Sequence, residues 1–202
     1  EQRPWLDLLD GEGFSGSTGY VRGADWEELL AARPGSAQAI TQRAVMAHAR
    51  GALAEARALC SRSIALEPNA IAHRGLAMLS IAEGDGASGL ERYRLACDSE
   101  PGNASLLVEA ATAALAEGAA ALVLELIERS GAVPSGRILL LEAQALALVG
   151  DAARAAAILR SGIEVAGLRE GENAMAELWT RVCPGEPIPS EYQFSMNEEG
   201  RQ

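Results

Sequence analysis

The sequence predicts an all-α fold, a right-handed helical-hairpin solenoid, and three observations predict it. Glycines recur at Gly51, Gly84, Gly118 and Gly150, separated by 33, 34 and 32 residues. Seven residues before each stands an alanine: Ala44, Ala77, Ala111 and Ala143. Five residues after each come Ala56, Gly89, Val123 and Ala155, and nine after come Cys60, Tyr93, Ile127 and Leu159. The first set is mostly small, as close helix approach requires, and the second can fill a core.

The elements follow in chain order. Residues 1–24 hold glycines at 11, 13, 16, 19 and 23, and an irregular lead-in is expected there. Residues 25–36 contain "ADWEELLAAR" less its first alanine, which reads as the second helix of an incomplete earlier unit. Trp26 lies 34 residues before Cys60, and Pro34 lies 34 before Pro68. Asp25 is placed as its N-cap.

Four helix pairs fill residues 37–167. Their first helices read "AQAITQRAVMAHAR", "AIAHRGLAMLSIAE", "ASLLVEAATAALAE" and "GRILLLEAQALALV". The glycine after each permits a tight turn with positive φ. A second helix follows, and Pro68, Pro101 and Pro134 end or follow the first three, since proline cannot continue the hydrogen-bond ladder. Gly167 takes that place in the fourth. One helix pair cannot bury its apolar faces alone, so neighbours must stack. In residues 168–184, Met175, Leu178, Trp179 and Val182 share one helical face, which suits a capping helix. The tail, 185–202, has three prolines' worth of stiffness counting Pro184 and is expected to be extended.

Composition narrows the class of function. Forty alanines in 202 residues favour helix. The net charge of −11 argues against tracking nucleic-acid phosphates or anionic membranes. No apolar run approaches the roughly 18–20 residues that span a bilayer. The opening "EQRPWLDLLDGEG" lacks the basic start and apolar core of a signal peptide. It also lacks an initiator Met, so a longer native chain is expected. Cys60, Cys97 and Cys183 show no metal-ligand spacing. Cys60 and Cys97 are expected in the core, and the setting is expected to be reducing and cytoplasmic.

The period, with its small-residue, glycine and proline frame, resembles the tetratricopeptide repeat family over residues 37–167. The Trp/Leu/Gly/Tyr signature of that family's first helix is mostly replaced by Ala and Leu. The string "LREGENAMAELW", with the prolines, Tyr192, Phe194 and Met196 that follow, also resembles the tail of multidomain actinobacterial proteins. There a β-rich domain of unknown function precedes helical repeats.

The tetratricopeptide resemblance implies a concave groove lined by first helices and open to protein or peptide. Helical phase places Gln38, Thr41, Val45 and His48, then Ile71, Arg74, Met78 and Ile81, on that face. Ser105, Val108, Thr112 and Leu115 follow, then Arg137, Leu140 and Gln144. The face is largely apolar, with Arg74 and Arg137 as isolated cations, and lacks the residues of a carboxylate clamp. The chain's own tail, through Tyr192 and Phe194, is a candidate occupant, as is a missing N-terminal domain. Arg169, Glu170, Glu172 and Trp179 mark a second candidate interface.

Catalysis finds no support in motif: no P-loop, GxGxxG or GxSxG string occurs. His48 is expected near the groove and His73 between helices. No cofactor and no metal is expected. The reading is a non-catalytic binding scaffold; the alternative is an accessory region of a larger enzyme, such as a carbohydrate-active one.

Overall fold

The computed structural model describes residues 24–131, 133–164 and 173–192. Among them the chain is all-helical and falls into two compact units, Glu1–Glu100 and Pro101–Gln202. The first unit contains α1 (Ala24–Ala31), α2 (Ala37–Ala49), α3 (Leu53–Leu66), α4 (Ala70–Ala82) and α5 (Gly86–Ser99). The second contains α6 (Ala104–Ala116), α7 (Ala120–Ser130), α8 (Arg137–Leu148), α9 (Ala152–Arg160) and α10 (Ala174–Val182), then a 3₁₀ turn at Ser190–Tyr192.

Within each unit every helix packs on the next. The first helix of one pair also meets the first helix of the following pair, α2 with α4 and α6 with α8. That is the contact pattern of stacked helical hairpins.

The turns are built identically. Gly51, Gly84, Gly118 and Gly150 have φ between 74° and 90°, the left-handed region that an L side chain enters only at a cost. The residue after each glycine donates its N–H back five residues: Ala52 to Ala47 O, Asp85 to Ser80 O, Ala119 to Ala114 O and Asp151 to Leu146 O. These are Schellman closures, which satisfy carbonyls that the helix end leaves open.

Helix starts are satisfied as well. Ser36, Asn69 and Asn103 accept from the N–H groups of Ala39, Ala72 and Leu106, and Asp85 and Asp151 cap α5 and α9. α1 begins at Ala24, so Asp25 lies in its first turn rather than preceding it.

The alanines seven residues before the turn glycines are all buried, at 2, 0, 1 and 0% exposure for Ala44, Ala77, Ala111 and Ala143. So are the positions five and nine residues after the turns. At Gly89 the reason is direct: a Cβ there would collide with Ile81 Cγ1 and lie 3.1 Å from the Ala77 carbonyl oxygen. Backbones approach that closely only where both sides are small. Cys60 and Cys183 are buried; Cys97 is half-buried, less than expected of a core residue.

Trp26 and Leu30 of α1 pack on Ala39, covering the start of the first pair. At the other end, Leu140, Leu146 and Leu159 join Met175, Leu178, Trp179, Val182 and Tyr192 in one core. The tail is therefore not wholly extended: it turns back at Ser190–Tyr192 and buries Tyr192.

Two expected outcomes test this packing. Ala77→Leu and Ala111→Leu should each destabilise their unit by roughly 1–3 kcal/mol through overfilling. Gly84→Ala meets nothing within 4 Å, so its loss should be only the left-handed backbone term, about 1–2 kcal/mol. Urea denaturation reads both.

His73 supplies a pH-dependent test. It is buried on α4, and its Nδ1 has no hydrogen-bond partner among the described residues. Burial pushes its pKa down, with help from the positive Arg92. The folded state therefore favours the neutral ring. Its contribution is complete above the unfolded pKa, about 6.5, and is lost as pH falls below it, because the unfolded chain then binds the proton more readily. Thermal midpoints of His73→Leu should decline less between neutral and mildly acidic pH than those of the parent.

Candidate functional site

The largest expected cluster of groove residues lies in the first unit, where α2 and α4 run side by side with α3 behind them. A buried polar network sets their register. The Thr41 and Ser63 hydroxyl oxygens are 2.7 Å apart, and Ser63 Oγ donates to the Ala37 carbonyl at 2.8 Å. Asn69 Nδ2 donates to Ser63 Oγ at 3.0 Å while its Oδ1 caps α4. Three helices are thus tied at one point, with every named polar atom given a partner inside an otherwise apolar region.

Beside this network lies a cavity of about 240 Å³. Thr41, Val45 and His48 line it from α2, Ile71, Arg74 and Met78 from α4. The structure thus brings six of the expected groove residues together. Its floor comprises residues that helical phase did not single out: Ala44, Ala56, Cys60, Gly75 and Leu79.

Gly75 lines the cavity and lets α4 approach the Cys60 sulfur of α3. It sits inside α4, where glycine is less favourable than alanine by roughly 0.5–1 kcal/mol. A Cβ there would stand 2.9 Å from Cys60 Sγ. The corresponding positions, nine residues before the other turn glycines, are Gln42, Glu109 and Leu141. The bare patch on α4 is therefore particular to this pair. Helix-interior glycine was the signal available in the sequence.

The cavity's chemistry is that of an apolar receptacle. Burial raises the Cys60 thiol to about 11, the nearby Arg57 charge offsetting only part of this, so the floor presents a neutral thiol and no nucleophile. Arg74 and Arg137, expected as isolated cations, each take part in an interaction within the folded chain. Among the described residues no group of His, Cys, Asp and Glu could hold a metal ion.

The remaining expected residues are distributed differently. Gln38 is exposed at the start of α2, and Ile81 is half-buried near the end of α4; neither lines the cavity. In the second unit, Val108, Arg137 and Gln144 are half-buried. Thr112 is exposed, with its hydroxyl donating to Val108 O at 2.7 Å. Leu140 is a correction: at 1% exposure it belongs to the core of α8, α9 and α10, not to a groove. Trp179 and Tyr192 are likewise core residues rather than interface residues, with ring centroids 6.0 Å apart. Arg169, Glu170, Glu172 and Phe194 lie outside the described residues.

Stacked helical hairpins with an apolar cavity between first helices define a helical-repeat protein of the solenoid class. Comparison with solved structures agrees. A chain in the structure of Naa15/Naa10 bound to HypK-THB aligns with a TM-score of 0.61 over 90% of this chain and 28% of that one, at 18% identity. The likeness shows the fold, a tetratricopeptide-like helical solenoid, and the present chain spans little more than a quarter of its counterpart. No protein-family model and no curated protein matches the sequence. No helix among the described residues is long and apolar enough to cross a membrane.

The Gly75–Cys60 contact yields a paired prediction. Gly75→Ala alone should gain little or lose stability, because its methyl meets the buried sulfur. Cys60→Ala with Gly75→Ala should recover the helix preference, so the second substitution is worth about 0.5–1 kcal/mol more in the Cys60→Ala background than alone. A double-mutant cycle in urea measures this difference.

Proposed function

We propose that the chain is a non-catalytic protein-binding scaffold whose first unit receives an apolar side chain of a partner between α2 and α4. One observation carries the reading: a cavity of about 240 Å³, lined chiefly by Val45, Ile71, Met78 and small residues, with a neutral thiol at its base. Such a site gains free energy by removing apolar surface from water, about 25 cal/mol per Å². Its buried Cys60 thiol is held neutral and presents no thiolate. Specificity then comes from the cavity's shape and from the polar edges supplied by His48 and Arg74.

The structural neighbour supports the general idea, since its chain belongs to an assembly described as Naa15/Naa10 bound to HypK-THB. The occupant is an external peptide or protein segment. Of the two tail aromatics expected to fill the groove, Tyr192 is buried with Trp179 in the second unit, and Phe194 lies outside the described residues. A second reading is an accessory region packed on another domain of a larger enzyme. The actinobacterial resemblance and a cytoplasmic setting fit either reading.

Selection from a displayed peptide library tests the proposal. Enriched sequences should share one apolar anchor, and Val45→Asp and Met78→Asp should each weaken binding at least about tenfold with helicity unchanged, as for a buried anchor at an interface. Enrichment that is indifferent to both substitutions would place the partner elsewhere on the molecule.

A further inference from the structure

The cavity between α2 and α4 carries a polar atom whose hydrogen bonds can be counted. Of the oxygen- and nitrogen-bearing side chains that line it, Thr41 is the buried one, at 5% exposure; His48 is exposed and Arg74 half-buried. A threonine hydroxyl has one proton to give and two lone pairs with which to accept. Ser63 Oγ gives its single proton to the Ala37 carbonyl at 2.8 Å, so the proton in the 2.7 Å contact between Thr41 and Ser63 comes from Thr41. Were Ser63 turned towards Thr41 instead, the Thr41 proton would go to Asn69 Oδ1, 3.4 Å away. Both arrangements spend the Thr41 proton inside the network. Both also leave at least one Thr41 lone pair that accepts no hydrogen bond among the described residues. At Thr41 the cavity wall therefore offers an acceptor and no donor.

Size and the remaining wall define the complement. A cavity of about 150 Å³ holds a benzene ring. At about 240 Å³ this one is larger by roughly 60%, the step from a six-membered ring to a fused bicyclic one. Met78 places a thioether on the wall, and such sulfurs make favourable contacts with aromatic rings. Arg74 supplies a guanidinium, which is attracted to the face of tryptophan more than to that of tyrosine or phenylalanine. An aliphatic anchor uses neither contact and cuts the Thr41 lone pair off from water. A phenol brings lone pairs for which Thr41 has no proton left. An indole N–H donates and accepts nothing.

We propose that the apolar anchor received by the first unit is a tryptophan side chain of the partner, its ring against Val45, Ile71 and Met78 and its N–H donated to Thr41 Oγ1. This rests on the scaffold reading and narrows the partner to a segment that presents an exposed tryptophan. Trp26 and Trp179 of this chain are buried in their own cores, so neither is the occupant.

Methyl NMR titration of the full chain tests the assignment with two probes. One is 3-methylindole, the tryptophan side chain by itself. The other is 3-methylbenzothiophene, which puts sulfur in place of the N–H and is the more apolar, so burial alone favours it. In the parent, 3-methylindole should shift the methyl signals of Ile71 and Met78, leave Leu140 unmoved and bind at least about threefold more tightly than the benzothiophene, as one net hydrogen bond provides. Thr41→Val keeps the shape and the Ser63–Ala37 and Asn69–Ser63 bonds, and should reverse that order; if the variant does not fold, the order in the parent decides. The benzothiophene bound as tightly by the parent, or an order unchanged in Thr41→Val, overturns the proposal. So does 3-methylindole binding to Trp5→Ala and not to the parent, because the chain's own Trp5 would then hold the site. Displayed peptides separate this inference from the reading beneath it. Tryptophan anchors sensitive to Val45→Asp support both. Leucine or phenylalanine anchors with that sensitivity keep the scaffold and overturn the tryptophan, and enrichment without it overturns both.

Discussion

Each hairpin depends on one backbone constraint: a residue in the left-handed region, closing the first helix and aiming the second back along it. At Gly51, Gly84, Gly118 and Gly150 nothing stands within 4 Å of where a Cβ would be. Space is not the reason for glycine; the backbone angle is. The angle lets the next N–H reach a carbonyl five residues back, so the helix ends with its acceptors satisfied and the chain reverses within two residues. The small residues matter only after that reversal. Once the turn sets where the helices cross, Ala77 and Gly89 must be small because the Ala77 carbonyl lies in the crossing itself.

The cavity of the first unit is a local departure from this economy. The other pairs carry a larger residue where α4 has Gly75. There the fold keeps a residue that weakens its own helix and leaves the neighbouring sulfur as wall. The Thr41–Ser63–Asn69 network holds α2, α3 and α4 around the space. Without such a brace, helices lined by alanine could slide closer and collapse the void, because small side chains interdigitate weakly. Void and brace together are what make this hairpin pair a candidate receptor.

What could be read in the residues divides along the same line. The repeat was legible because its signals are local and periodic: glycine at a turn, alanine at a crossing, a larger residue on the core side. The caps at Ser36, Asn69 and Asn103 recur with nearly the same period and were equally readable, yet alanine and glycine dominated the pattern. The site was legible only in part. Helical phase puts Thr41, Val45, His48, Ile71, Arg74 and Met78 on one face, but phase says nothing of depth. Leu140 has the same phase and is buried to 1% because α9 and α10 close over it.

A repeat array has no intrinsic end, and the outer faces of α2 in the first unit and of α8 and α9 in the second are covered in two different ways. At the beginning, α1 places Trp26 and Leu30 on Ala39, so one short helix covers the first pair with two large side chains. In the second unit α10 is followed by a non-helical segment that adds Ile188 and Tyr192 to the cover. The difference has a thermodynamic consequence. A helical cap satisfies most of its backbone internally and contributes its apolar face. A non-helical segment satisfies less of its own backbone; here Glu186 N and Tyr192 N bond within it, and the tyrosine hydroxyl adds two hydrogen bonds at the end of α9. Cooperativity in stacked repeats rests on nearest-neighbour contacts. The non-helical segment, packed through Cys183, Ile188 and Tyr192 on the core shared by α8, α9 and α10, is thus tied to three helices rather than to one nearest neighbour.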